Sequence, residues 1–176
     1  MTAPTALRFQ RTALPGLLSA LLLLAGCAGT PPRESRLGAR FSQSVAVSPS
    51  KRDDVIIMAL AQLNTRYRYG GGSPAEGFDC SGLVDYVFRT AADTGLPHST
   101  ERIAEISRPV NRANLSPGDL VFFNTLHQRY SHMGIYLGHG RFINAPSTGG
   151  VVRIDSLDSH YFATRFDGAR TLFSAN

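Results

Sequence analysis

Apolar residues recur along the chain with two distinct periods. Between Ser50 and Asn64, Ile56, Ala59, Leu60 and Leu63 follow helical spacing behind a capping-box pattern, Ser50-Lys51-Arg52-Asp53, which predicts an amphipathic first helix. The same spacing returns in Leu83, Val84, Val87, Phe88 and Ala91, the expected buried face of a second helix that runs from Cys80 towards Gly95 with Asp79 as its cap. A third, shorter helix is expected from Ser99 to Arg108, closed by Pro109. After the turn Ser116-Pro117-Gly118-Asp119 the pattern becomes that of strands: Leu120 to Phe123, Met133 to Leu137, Phe142 to Asn144, Val151 to Ile154 and Thr171 to Phe173. Links such as Gly138-His139-Gly140-Arg141 are short enough for antiparallel hairpins. Helices followed by a strand meander predict an α+β domain, with N-terminal helices packed on an antiparallel sheet of about five or six strands.

Ahead of this domain the pattern has another meaning. Arg8 and Arg11 precede an apolar stretch from Ala13 to Gly26 that is shorter than the ~18 residues of a spanning helix, as in a secretory signal. Its end, Leu24-Ala25-Gly26-Cys27, resembles a bacterial lipobox. That resemblance implies a signal peptide at 1–26, lipidation of Cys27, and retention at a membrane through the acyl chains; cleavage near Ala25 of an ordinary signal is the alternative. Ala28 after the lipidated cysteine points, by resemblance to sorting patterns, to an exported protein on the outer membrane facing the periplasm. Residues 27–50, with Pro31-Pro32 and scattered Ser, Gln and Arg, lack periodicity and are expected to be a flexible tether with a span of roughly 26 Å. The folded domain is expected over 51–176.

Composition narrows the function. A chain of 176 residues with 43% hydrophobic and 18% charged residues suits one globular domain plus an extension. Its formal charge of +5 is mild, and the basic residues form neither a stripe nor a stacking platform, so nucleic acid is not an expected partner. Cys27 and Cys80 are the 2 cysteines. Lipid on the first leaves the second without a disulfide partner, a hazard for an exported chain unless the thiol has work to do. Paired Cys-x-x-Cys or His-x-x-x-His spacing is missing, so no metal or other cofactor is expected.

Cys80 is the candidate nucleophile. In Gly77-Phe78-Asp79-Cys80-Ser81-Gly82-Leu83-Val84 the thiol falls on the first helical turn, where unpaired backbone N–H groups favour negative charge. Lowering a thiol pKa from ~8.5 to ~5 corresponds to about 5 kcal/mol, more than a helix end supplies, so a cationic partner is required. His132, at the start of the strand Met133 to Leu137, is the candidate partner, and an imidazolium–thiolate pair is the expected resting state. Asn144, at the end of the next strand, would orient the imidazole across a hairpin. Asp79 and Ser81 flank the nucleophile as possible substrate contacts, although a helix cap and a first-turn hydrogen bond explain them more simply. His98, His127, His139 and His160 carry less weight, and Arg102, Arg129 and Arg141 are candidate partners for substrate carboxylates, with solvated surface charge the simpler explanation.

Five blocks together resemble the NlpC-type bacterial cell-wall peptidases: Tyr67-Arg68-Tyr69-Gly70-Gly71, Phe78 to Val84, Leu96-Pro97-His98-Ser99-Thr100, Ser116 to Phe123, and His132-Met133-Gly134-Ile135-Tyr136-Leu137-Gly138. They fall in order across residues 52–174. The resemblance implies a papain-like core that hydrolyses peptide bonds in peptidoglycan stem or cross-link peptides without a metal. It assigns Cys80 as nucleophile, His132 as base and Tyr67 as a side chain near the thiol that helps hold the oxyanion. The order Cys, His, Asn is that of papain-like proteases. The third polar position is often histidine in the family, whereas this chain offers Asn144. A monomer is expected. Two alternatives share the scaffold: a non-catalytic peptidoglycan-binding lipoprotein, and a papain-like amidase or acyltransferase.

Overall fold

The computed structural model describes residues 45–147 and 150–175. The expected signal segment, Cys27 and residues 28–44 of the expected tether lie outside the described residues. The folded part begins ahead of residue 51: Val47 is 3% exposed, its N–H donates to the Leu172 carbonyl at 2.7 Å, and Val45 N–H donates to Ile106 at 3.1 Å. Burying Val47 against the last strand ties the end of the expected tether to the core.

A 3-10 turn at Pro49–Lys51 leads into helix α1, Arg52–Leu60. The expected capping box does not form. Lys51 occupies the cap position without a side-chain hydrogen bond, and the Ser50 hydroxyl meets that of Ser48 at 2.9 Å. The helix buries Val55 and the expected Ala59, with Ile56 packed against the core, while Leu60 and Leu63 of the expected stripe stay exposed. A short hairpin of β1 (Gly72–Ser73) and β2 (Gly77–Phe78) precedes helix α2, Cys80–Ala92. Helix α3, Thr100–Ile106, ends earlier than expected, because residues Arg108–Val110 form strand β3 instead of a final turn. Pro109 is tolerated there because β3 is an edge strand.

The remaining elements are β4 (Leu120–Phe123), β5 (His132–Gly138), β6 (Arg141–Asn144), β7 (Arg153–Ser156), the short helix α4 (His160–Ala163) and β8 (Phe166–Thr171). Six strands form one antiparallel sheet in the order β3-β8-β4-β5-β6-β7. The α+β expectation and its strand count therefore hold. On one face, Leu83, Val84, Val87 and Phe88 of α2 join Phe122, Met133, Ile135 and Ile143 of the sheet in a fully buried core. The other face is smaller and carries Val121, Phe123, Phe142, Leu157 and Phe162. Burying a Phe or Leu side chain contributes about 1.5–3 kcal/mol, which makes the α2–sheet layer the rigid part of the domain.

Candidate active site

Asp79 organises the start of α2. One carboxylate oxygen accepts the Gly82 N–H at 2.7 Å and the Ser81 hydroxyl at 3.0 Å, and the other accepts the Gly70 N–H at 2.9 Å. His98 Nε2 contacts both oxygens, at 2.8 and 2.9 Å. The polar atoms of Asp79 and Ser81 are thus engaged with one another and with the loop, as the capping explanation expects. The preceding loop runs close to the helix: Asp79 N–H donates to the Gly71 carbonyl at 3.0 Å, and a Cβ on Gly82 would collide with that carbonyl. Glycine at 82 is what lets the loop lie against the first turn.

The thiol of Cys80 lies at the N-terminus of α2, where the backbone N–H groups of Ser81, of Met133 and of its own residue favour the charged sulfur. Met133 follows His132, so the sulfur sits beside the start of β5. The electrostatics differ from the expected depressed thiol. Burial and the Asp79 carboxylate push the Cys80 pKa up to about 11, and the three N–H groups pull it down without prevailing. A carboxylate caps the same helix end that would otherwise favour a thiolate. Burial on the apolar wall of Phe123 and Phe162 lowers the His132 pKa, against opposing contributions from the Asn144 hydrogen bond and the Asp155 charge. Both shifts run towards a neutral thiol and a neutral imidazole, the direction opposite to the expected ion pair.

His132 and Asn144 come together because β5 and β6 are neighbours in the sheet. The imidazole Nε2 lies 3.0 Å from Asn144 Oδ1, and both residues are buried, at 8% and 0% exposed. Gly134 makes this approach possible, since a Cβ there would come within 2.6 Å of the Ile143 carbonyl and 3.2 Å of the Asn144 Cβ. Among the described residues, Asn144 is the side-chain hydrogen-bond partner of the imidazole.

Cys80 and His132 line one cavity of ≈ 670 Å³, together with Tyr67, Asp79, Ser81 and His98. The Tyr67 hydroxyl is held protonated above its ordinary range, first by burial and then by the charges of Cys80 and Asp79. Tyr69, Leu126 and Tyr161 are large apolar side chains left exposed around this cavity. Arg102, Arg129 and Arg141 do not line it; Arg102 pairs with Glu105 and Arg129 with Asp167. Among the described residues, the guanidinium in the lining is Arg153, which no sequence motif marked. His98 also belongs to the site, and the Leu96-Pro97-His98-Ser99-Thr100 block was the signal that could have placed it there.

The NlpC/P60 family model matches residues 64–171. The chain belongs to the NlpC/P60 family. It is 38% identical over 159 residues to the probable endopeptidase NlpC of Escherichia coli strain K12, covering 89% of this chain and 97% of that protein. It is 37% identical over 118 residues to murein DD-endopeptidase MepH of the same strain, covering 65% of this chain and 44% of MepH. The chain thus spans less than half the length of MepH. A solved structure from Staphylococcus aureus subsp. aureus Mu50, described as similar to lipoprotein, NLP/P60 family, superposes with a TM-score of 0.65 at 26% identity, over 75% of this chain and 44% of that one. RipD from Mycobacterium tuberculosis, described as a non-catalytic NlpC/p60 domain protein adapted to peptidoglycan binding, shares the fold with a TM-score of 0.58 at 22% identity, over 69% of this chain and 96% of RipD.

Proposed function

We propose that this NlpC/P60 domain is a cysteine endopeptidase that hydrolyses peptide bonds in peptidoglycan stem or cross-link peptides. The observation that carries this reading is a thiol at a helix N-terminus sharing a cavity with an imidazole whose other side is held by an amide oxygen at 3.0 Å. The endopeptidase names of NlpC and MepH support it.

In the proposed cycle the neutral His132 takes the thiol proton as the Cys80 sulfur attacks the scissile carbonyl. General-base transfer fits a resting thiol with a pKa of about 11 better than a standing thiolate does. The Cys80 N–H and the Tyr67 hydroxyl donate to the tetrahedral oxyanion, each contact contributing on the order of 3 kcal/mol when well aimed. His132 then protonates the departing amine, leaving a thioester on Cys80. Water, deprotonated by the same imidazole, attacks the thioester and returns the thiol. The whole protein is proposed to be exported and held at the cell envelope, on the periplasmic face of the outer membrane, by lipid on Cys27. Metabolic labelling with a radioactive fatty acid, compared in wild type and Cys27→Ser, tests that anchor.

Digestion of purified peptidoglycan by wild type and Cys80→Ala, with products identified by mass spectrometry, tests the activity. Released peptides that disappear with Cys80→Ala support hydrolysis. Binding to peptidoglycan with no product from either protein would favour the binding role described for RipD.

A further inference from the structure

Beyond the thiol, imidazole and amide lies a fourth group. Asn144 Nδ2 donates to Asp155 Oδ2 at 2.9 Å, and more distantly to the Arg153 carbonyl at 3.4 Å. Asp155 Oδ2 also accepts Arg153 Nε at 2.8 Å. The register explains the cluster: Asn144 pairs with Arg153 and Phe142 with Asp155 across β6 and β7, so the side chains of Asn144, Arg153 and Asp155 rise from one face of the sheet. Asp155 keeps 21% side-chain exposure, while Asn144 has none of its residue surface exposed.

The chemistry of these groups fixes more than distance. A carboxylate is acceptor-only, as is a backbone carbonyl, so the end of Asn144 that faces both must be its NH₂. Turning the amide over would set its oxygen against two other oxygens and lose both hydrogen bonds that the NH₂ donates. With Nδ2 committed, Oδ1 faces the imidazole. A carbonyl oxygen can only accept, so Nε2 of His132 must carry the proton, and a neutral ring then has its lone pair on Nδ1.

We propose that Asp155 is a positioning residue that sets the tautomer of His132: through Asn144 it holds the ring proton on Nε2 and leaves Nδ1 as the nitrogen able to take the Cys80 proton. Arg153 steers the carboxylate from the same strand. The catalytic consequence rests on the hydrolase reading above, whereas the tautomer itself does not. Asparagine at 155 keeps the size of the side chain but presents both a donor and an acceptor, which leaves the longer contact to the Arg153 carbonyl as the remaining acceptor-only group that fixes the direction of the Asn144 amide.

Long-range ¹H–¹⁵N correlation spectra of the histidine rings, recorded near neutral pH for wild type, Asp155→Asn and Asp155→Glu, test this directly. The wild type is expected to show His132 as the Nε2–H tautomer alone. Asp155→Asn is expected to give a mixture of tautomers and a kcat lower by about tenfold or more with KM little changed. Asp155→Glu, which restores an acceptor-only group, is expected to recover the wild-type signature. Asp155→Ser also ends the acceptor-only contact and gives the same answer should the asparagine variant not fold. A wild-type tautomer pattern in a folded Asp155→Asn or Asp155→Ser overturns the proposal. Absence of hydrolysis in the wild type would instead remove the hydrolase reading and leave the tautomer result standing.

Discussion

His98 holds both oxygens of Asp79, at 2.8 and 2.9 Å, while Asp79 holds the first turn of the helix that carries Cys80. One carboxylate thereby serves a fold and a reactivity at once. It satisfies N–H groups at a helix start, and its charge opposes ionisation of the adjacent thiol.

Asp79→Asn separates the two roles. Asparagine keeps one oxygen for the Gly82 N–H but sets an NH₂ against the Gly70 N–H, so a stability loss of about 1–3 kcal/mol is expected with the helix cap retained. Loss of the negative charge removes one of the two causes that raise the thiol pKa. Alkylation by iodoacetamide at pH 8 is therefore expected to be faster in Asp79→Asn than in the wild type. An equal or slower rate would show that the charge of Asp79 does not govern the sulfur.

The resting thiol itself is expected to titrate high. The pseudo-first-order alkylation rate of the substrate-free protein should keep rising above pH 9, without the plateau near neutrality that a standing ion pair would give, in line with a pKa of about 11. A plateau reached by pH 6 would restore the imidazolium–thiolate pair.

His132 makes the fold sensitive to acid. Its pKa is lowered in the folded state by burial, so below its ordinary value of about 6.5 the unfolded chain takes up a proton that the folded chain resists. Stability from this group is full above that pH and declines as pH falls below it. Urea unfolding at pH 7 and pH 5 should show a larger loss on acidification for the wild type than for His132→Gln. Equal losses would mean that the ring is not buried neutral.

Gly134→Ala tests the approach of β5 to β6. The added methyl would sit 2.6 Å from a backbone carbonyl, which cannot move aside as a flexible side chain could. Destabilisation of about 1–3 kcal/mol is expected, with activity falling further than stability because the His132–Asn144 contact lies one step away. A variant as stable and as active as wild type would contradict this packing.

Much of the site was legible in local sequence. Asp79, Cys80 and the apolar stripe of α2 lie within one helix, and a cap followed by a periodic run is a local signal. His132 and Asn144 could be paired because a short hairpin sets their register. Tertiary partners were less visible. His98 precedes a different helix and reaches Asp79 across a loop, and Asp155 matters only because β7 pairs with β6 at Arg141–Ser156 through Asn144–Arg153, a register displaced from the Val151 to Ile154 strand that the apolar pattern suggests. The last strand was read too late for a similar reason. Asp167-Gly168 has the composition of a turn, yet pairing with both β3 and β4 holds Phe166–Thr171 extended. The thiol pKa goes the other way from a helix-end argument because that argument counts N–H groups but neither the burial of the sulfur, which is the larger cause, nor the carboxylate that caps the helix.

The central claim is that the sulfur of Cys80 becomes covalently acylated during turnover. Rapid acid quench of the protein with a defined disaccharide-peptide from peptidoglycan, followed by intact-protein mass spectrometry and peptide mapping, measures this. The account predicts a transient mass increase equal to the acyl half of the cleaved substrate, localised to the peptide containing Cys80 and lost in Cys80→Ala. Product release with no adduct, or with undiminished turnover by Cys80→Ala, would contradict it.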